Sequence, residues 1–283
     1  MKPYDIKGLG RHYPHPVHGE KKPLTSVTNI LNEVAKQMVL SPWAAKLQKE
    51  MDVELSKEMF NTCGPFTSGD HFARALSAFI GKERKYKEEF TRAGEIGTLV
   101  HDSIEFFIKR LLGLKGPEPP TLEGEAMVSY LTFEQFWLDV DIRPLFSELF
   151  VWNDIDNHAG TADLVSEIVI SDVLLKHASK AMREIARPFL GKNVLTGIDF
   201  KTSNGIYDDY FLQLAAYIDS LERMGKASED TWGMIVRLPK DGTPWEVAFL
   251  PPSDREEAYD TFLAYQKAWR FSHRKALAKL AIG

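Results

Sequence analysis

The chain has 283 residues, of which 44% are hydrophobic and 27% are charged, and its formal net charge is −5 at pH 7. This composition is typical of one elaborated globular domain or two small ones. The sequence has no apolar run of the roughly 20 residues that a membrane-spanning helix needs. Its single cysteine, Cys63, excludes an intrachain disulfide and a four-cysteine iron–sulfur cluster. We therefore expect a cytoplasmic protein with no membrane partner, in which a nucleic acid would need a local basic surface.

Helical patterns dominate the first half of the chain. Residues 1–22 are rich in Pro, Gly, His and Lys and predict an extended arm, and the prolines between its three histidines argue against a preformed metal site. Ser41-Pro42 has the signature of a helix N-cap followed by proline at the first helical position. The other predicted helices span about residues 70–90, 95–112 and 122–139, with a loop at Asn61–Gly69 and a break at Gly116–Pro120.

Short strand patterns begin after Pro144. The predicted strands are residues 145–152, 161–170, 194–202, 231–238 and 245–250, and the first two are expected to form a hairpin. A helix is predicted for Tyr207–Met224, and the capping box Ser253-x-x-Glu256 predicts the start of a C-terminal helix. This order predicts a mixed α/β (α+β) fold. We expect residues 1–93 to form the arm and a helical region, and residues 94–283 to form the core, with a helical insertion at about 171–193.

A carboxylate and an ammonium are placed side by side at the end of the third predicted strand. Asp199 and Lys201 are two residues apart, and side chains two apart on a strand point to the same face. Neither group is buried without cost unless it has a partner. Two interpretations stay open: a structural ion pair, or a carboxylate that holds a divalent metal with the lysine beside it.

Acidic residues and one histidine accompany this pair. His101 and Glu105 are four residues apart on a predicted helix and therefore share a face, and Gly97 permits another backbone to approach closely. Asp163 begins the second strand, and Glu148 lies on the adjoining strand, from which it could face the same side. Taken singly, His101 is more typical of a structural histidine, and Asp163 is more typical of a turn residue.

The helix after the third strand carries Gln213 and Tyr217 one turn apart, which is also typical of polar residues at the rim of an amphipathic helix. As a set, the motifs resemble the RecB-type branch of the PD-(D/E)xK nuclease superfamily over about residues 94–250. The branch has a helical His, a Gly-x-x-Asp, an Asp-x-Lys and a Gln-x-x-x-Tyr. They correspond here to His101, Gly160-Thr161-Ala162-Asp163, Asp199-Phe200-Lys201 and Gln213-x-x-x-Tyr217.

The N-terminal region adds to this resemblance. Thr25–Leu31 and Ser41–Ala45 look like phage-borne exonucleases of the branch, and the motifs are similar to those of the mitochondrial genome maintenance exonuclease. The resemblance implies a restriction-endonuclease-like core with a central mixed sheet flanked by helices. It implies Mg²⁺ or Mn²⁺ as the cofactor, held by His101, Asp163, Asp199 and the main-chain carbonyl of Phe200. Glu105 and Glu148 are candidates for a second ion or a water.

The resemblance also implies roles for the remaining residues. Lys201 would orient the attacking water and offset transition-state charge, and a neighbouring metal would lower its pKa. Gln213 and Tyr217 would position the nucleic-acid strand, and Thr202 and Ser203 could bind phosphate.

One departure from the branch is the long interval between Asp163 and Asp199. A helical pattern at about 172–187 fills it, with an apolar stripe of Leu174, Ala178, Ala181 and Ile185. Its basic face comprises Lys176, Lys180, Arg183 and Arg187, spaced for one side of a helix. This face is either merely solvated or in contact with phosphates.

The sequence therefore predicts a divalent-metal-dependent DNA exonuclease, acting on single-stranded or end-containing DNA in phage or bacterial recombination, repair or replication. Recombination or replication proteins are candidate partners. Two alternatives stay open. One is a structure-specific or nicking endonuclease, and the other is a non-catalytic nucleic-acid-binding recombination protein on the same fold.

Overall fold

The computed structural model describes residues 1–79, 85–116 and 118–280. The chain divides into two compact units, one formed by Met1–Ala35 with Ile96–Gly283 and the other by Lys36–Glu95. The second unit is helical and contains a cluster of aromatic rings formed by Phe60, Phe66 and Phe72. The first 35 residues thus belong with the core, whereas the sequence predicted that they would group with the helical region up to residue 93.

Within the described residues, eight strands form one mixed sheet. They are β1 Tyr4–Ile6, β2 Gly10–His15, β3 Gly19–Ser26, β4 Ile142–Asn153, β5 His158–Val169, β6 Asn193–Lys201, β7 Trp232–Arg237 and β8 Glu246–Leu250. The pairing order is β1-β2-β3-β5-β6-β7-β8, and β4 pairs with the other edge of β5. The β3–β5 and β6–β7 pairs are parallel and the others are antiparallel. The predicted mixed α/β fold class is confirmed.

The helices of the described residues are α1 Val27–Cys63, α2 Gly69–Phe79, α3 Lys85–Leu111, α4 Gly124–Asp139, α5 Asp172–Lys176, α6 Lys180–Ala186, α7 Asp208–Arg223, α8 Pro252–Ser272 and α9 Arg274–Leu280. Ser41-Pro42 lies inside α1, so the predicted helix start there is wrong. The predicted helix at about 70–90 includes residues 80–84, and the predicted break includes Pro117, both of which lie outside the described residues. None of the helices described combines the length and the apolar composition needed to cross a bilayer.

The sheet has a hydrophobic core on each face. On one face α3 and α4 pack against the sheet, with fully buried side chains spaced four apart at Val100, Ile104 and Ile108. On the other face α7 and α8 bury side chains such as Ala216 and Phe262. Each fully buried aliphatic or aromatic side chain contributes about 1.5–3 kcal/mol, so the two layers stabilise the sheet between them.

The predicted N-terminal arm is instead the three-stranded meander β1–β3. Tyr13 and Leu24 are paired across β2 and β3, and both are buried against Ala159 of β5. Thr25 and Ser26 pair with His158 and Ala159. The segment is ordered because these apolar contacts and strand hydrogen bonds offset the entropy of fixing it.

Two further predictions about the helices are wrong. The insertion forms two short helices rather than one, because Ser171 and Ser179 each cap a separate helix. Ala181, placed in the apolar stripe by the sequence, is exposed. The C-terminal helix α8 begins at Pro252 with Pro251 as its N-cap residue, so the Ser253 capping box does not form.

Candidate active site

The candidate site lies where β3 and β6 approach the same edge of β5. β3 pairs with His158 and Ala159, β6 pairs with Leu164–Val169, and β4 occupies the opposite edge. Residues 160–163 lie between the two pairings. Because successive side chains of a strand alternate, Gly160 faces α7 and Asp163 faces α3. The opening between β3 and β6, which lies at residues 160–163 of β5, is therefore accessible to side chains from both helix layers.

Three side chains from separate elements form a group that could hold a cation. His101 of α3, Glu148 of β4 and Asp163 of β5 each offer one ligand atom, and these atoms lie within 4.8 Å of one another. His101 Nδ1 lies 3.4 Å from Asp163 Oδ2. Ligand atoms around one ion with bonds of about 2.1 Å are about 3.0–4.2 Å apart, so small side-chain adjustments would let all three share an ion.

Glu148 is the member of this group whose charge is least compensated. Among the residues that the structure describes, its carboxylate has no hydrogen-bond or ion-pair partner. Burial, and then the charges of Asp163 and Glu105, raise the pKa of Glu148 to about 9. Its backbone is left-handed, with φ of 49°, which is uncommon for a residue other than glycine and re-aims the side chain. A carboxylate in this setting fits a divalent cation bound by oxygen and imidazole ligands.

The metal-free protein is expected to lose stability as the pH rises. The pKa of Glu148 is 4.5 in the unfolded reference and about 9 in the folded chain, so the folded state binds more protons between these values. We expect the free energy of unfolding to fall by on the order of 2 kcal/mol between about pH 5.5 and pH 8.5, allowing for solvent screening. Urea unfolding with a chelator at both pH values measures this loss, and stability that rises with pH would contradict it.

A second polar group lies on the α7 face of β6. Lys201 Nζ is 2.7 Å from Asp199 Oδ2 and 3.3 Å from Gln213 Oε1. Gln213 Nε2 donates to Asp199 Oδ1 at 2.9 Å and contacts Tyr217 Oη at 3.4 Å. The predicted pairing of Asp199 with Lys201, and the placement of Gln213 and Tyr217 on one face, are confirmed. Asp199 is 2% exposed, and its Oδ1 accepts a hydrogen bond from Gln213 whereas its Oδ2 forms an ion pair with Lys201.

Burial and neighbouring charges set the protonation of this second group. Burial raises the pKa of Asp199 to about 6, although Lys201 opposes the shift. Burial lowers the pKa of Lys201, but Asp199 and Asp163 outweigh it and hold the pKa above its usual value. Tyr210 places its ring centroid 4.8 Å from Lys201 Nζ, which also favours the cation. Lys201 is therefore an ammonium in the metal-free chain, and the predicted lowering of its pKa would require the ion.

The main chain of β6 joins the two groups. The amide of Phe200 donates to Asp163 Oδ2 at 2.9 Å, while Asp199 points to the opposite face of the strand. Glu148 therefore lies beside His101 and Asp163. The family resemblance had implied that Asp199 would occupy this position. The proposed ligation by Asp199 and by the carbonyl of Phe200 stays a prediction.

Gly160 allows the ring of Tyr217 to lie against β5. A Cβ atom on Gly160 would lie 2.7 Å from Tyr217 Oη and Cζ. We expect Gly160→Ala to lower the free energy of unfolding by about 2 kcal/mol, because a buried ring must move, as urea denaturation can measure. Gly97→Ala is the matched control, since its nearest neighbour is the side chain of Thr202 at 3.4 Å and not the backbone that the sequence predicted. An equal loss in both variants would contradict the prediction.

Other predicted site residues have local partners. Glu105 forms an ion pair with Lys109 one helical turn later. Ser203 Oγ donates to the carbonyl of Gly205 at 2.7 Å, and Thr202 is 9% exposed beside Gly97. Their predicted contacts with phosphate, water or a second ion stay predictions.

The basic residues of the insertion lie beyond the far edge of the sheet from β5. Lys176, Lys180, Arg183 and Arg187 are all exposed. Ala178 in the same segment pairs with Val247 of β8, and β7 lies between β8 and β6. With about 4.8 Å between neighbouring strands, the segment is about 14 Å from β6. Contact with a phosphate at Asp163 is therefore not expected from this segment.

Neither family models nor curated protein sequences match this chain. The functional assignment therefore rests on the motifs and on the geometry of the two polar groups. Sequence reasoning ranked Glu148 below Asp199 as a ligand, because the left-handed backbone that re-aims Glu148 has no signal in the sequence. An acidic residue on the strand that pairs with Asp163 was the only available indication.

Proposed function

We propose that the protein is a divalent-metal-dependent DNA exonuclease that hydrolyses phosphodiester bonds, with Mg²⁺ or Mn²⁺ as its cofactor. The observation that carries the proposal is the group of His101, Glu148 and Asp163 joined, through the amide of Phe200, to the strand that bears Lys201. The order of these residues along the chain, which resembles the RecB-type nuclease branch, supports the same reaction. Such an enzyme would act in DNA recombination, repair or replication in a phage or bacterium.

The acidic group would hold the ion. When bound, a divalent ion lowers the pKa of water and neutralises charge on the phosphate. Glu148 and Asp163 would supply oxygen ligands, and the imidazole of His101 would favour Mn²⁺ over Mg²⁺. Ion binding near pH 7 would require Glu148 to release its proton, because the pKa of this carboxyl is raised to about 9.

Lys201 would stabilise the charge that develops on the phosphate. Its ammonium is fixed by Asp199 and Gln213 at 2.7 and 3.3 Å, so little reorganisation is needed during the reaction. The raised pKa of Lys201 favours this electrostatic role over that of a general base. Tyr217 would donate a hydrogen bond to the DNA strand, because burial raises the pKa of its phenol well above the usual value and keeps the phenol neutral.

The test is a time course of cleavage on linear DNA labelled at the 5′ or the 3′ end, single- and double-stranded, with Mg²⁺ or Mn²⁺. We expect labelled ends to be released only when an ion is present, and a chelator to stop the reaction. Intact DNA under every condition would overturn the proposed hydrolysis and leave the non-catalytic binding protein as the better assignment.

Closed circular single-stranded DNA separates an exonuclease from an endonuclease. An exonuclease needs a strand end and should leave the circle intact at enzyme concentrations that consume a linear strand of the same sequence. Linearisation of the circle would replace the proposed exonuclease by a structure-specific or nicking endonuclease.

A further inference from the structure

The N-terminal meander concentrates positive charge in an otherwise acidic chain. Residues 1–26 contain five basic and two acidic side chains, against a net charge of −5 for the whole chain. The basic residues are Lys2, Lys7, Arg11, Lys21 and Lys22, and all five are exposed. In the part of the chain that the structure describes, none of the five has a hydrogen-bond or ion-pair partner for its side chain. These charges are therefore available to an anionic partner.

The meander lies directly beside the opening at Asp163. β3 pairs with β5 up to Ser26 and Ala159, four residues before Asp163, and His12 of β2 pairs with Thr25. Arg11 is therefore two strands from β5. With about 4.8 Å between strands and 3.3 Å per residue along them, the Cα atoms of Arg11 and Asp163 are roughly 16 Å apart.

Strand alternation places Arg11 on the face that bears Asp163, and Lys22 lies on β3 at a register shift of the β2–β3 pair. Arg11 is two residues before Tyr13, and Lys22 is two residues before Leu24. Tyr13 and Leu24 pack together on Ala159, which alternates along β5 onto the same face as Asp163. Lys22 lies roughly 13 Å farther from the opening than Ser26 does, so the two cations follow a line that leads away from the site.

Two cations that the structure describes beside the site are already paired within the protein. Lys201 is bound to Asp199, and Lys109 is bound to Glu105. Beyond the proposed ion, a polyanion that approaches five carboxylates would be attracted more strongly by a further source of positive charge. Those carboxylates are Asp102, Glu105, Glu148, Asp163 and Asp199.

We propose that the surface of β2 and β3 that carries the exposed side chains of Arg11 and Lys22 binds the backbone phosphates of the DNA strand that enters the candidate site. The proposal rests on the nuclease function proposed above and names the surface that delivers its substrate. Contacts of this kind are independent of base sequence, because they are made to phosphates. The DNA strand would lie along the meander, with its reacting end at Asp163.

The experiment compares two double variants that remove the same charge from the full-length protein. Arg11→Ala with Lys22→Ala alters the meander, and Lys180→Ala with Arg183→Ala alters the rival basic segment of the insertion. Fluorescence anisotropy of a labelled single-stranded oligonucleotide, titrated at several salt concentrations with a chelator present, measures binding without cleavage. Thermal unfolding checks that both variants remain folded, as expected for exposed side chains.

We expect the meander variant to bind the oligonucleotide more weakly than the parent does. The magnitude of its slope of log K against log salt should be smaller by about 1.4, the value for two phosphate contacts to a single strand. The insertion variant should change the slope by less. Equal changes, a larger change in the insertion variant, or an unaltered slope in the meander variant would overturn the proposal. Because cleavage is measured separately, a chain that binds as expected but leaves DNA intact with Mn²⁺ supports the surface and contradicts only the hydrolytic function.

Discussion

Lys201→Ala is expected to abolish DNA cleavage, with a loss of more than about 10³-fold, because the charge developing on the phosphate loses a fixed ammonium. The variant should also lose about 3 kcal/mol of stability, since a buried Asp199 is left without its partner 2.7 Å away. Cleavage with end-labelled DNA and urea unfolding measure the two effects.

A neutral pair separates the chemical effect from the structural one. Asp199→Asn with Lys201→Met replaces both charges by side chains of similar size, and replacing a buried ion pair in this way is often close to neutral for stability. We expect this double variant to remain as stable as the parent and still not cleave DNA. Undiminished cleavage by Lys201→Ala would remove the lysine from the proposed reaction.

Glu148→Gln is expected to weaken Mn²⁺ binding by at least about 100-fold while leaving the metal-free protein as stable as the parent or more stable. Loss of a direct ligand should cost no less than the 10–100-fold typical of residues that only orient ligands. Glutamine resembles the protonated carboxyl that burial favours, because the pKa of Glu148 is raised to about 9. Calorimetric titration with Mn²⁺ and urea unfolding near pH 8 with a chelator test the two expectations.

Glu167→Gln is the matched control for this change. Glu167 lies on β5 four residues beyond Asp163, and its carboxylate pairs with Arg143 at 2.9 Å. The Glu167→Gln variant should bind Mn²⁺ with the same affinity as the parent. If Glu148→Gln also kept parental Mn²⁺ affinity, the ion would have to be held without Glu148.

Local periodicity was sufficient to predict the pairs within one element. The two-residue period of a strand placed Asp199 beside Lys201, and the helical turn placed Gln213 beside Tyr217. Convergence of His101 and Asp163 was not predictable from periodicity, because they lie on a helix and a strand more than 60 positions apart. That contact came only from the resemblance to a nuclease family.

The N-terminal strands show why the remaining fold was missed. Proline and glycine in residues 1–22 obscure the alternation, although the burial of Tyr13 and Leu24 follows the pattern of paired strands. Their partner strand begins at His158, more than 130 residues later. The stability of such a segment depends on a distant partner, and a composition rich in Pro, Gly and Lys then indicates an arm.

The pairing of Thr25 and Ser26 with β5 has a consequence for the solution behaviour of shortened chains. Without β3, the main-chain amides and carbonyls of His158 and Ala159 would border solvent as a bare sheet edge next to the buried side chain of Tyr217. Bare edges recruit strands from other molecules and lead to self-association. We therefore expect removal of the first 26 residues to promote self-association.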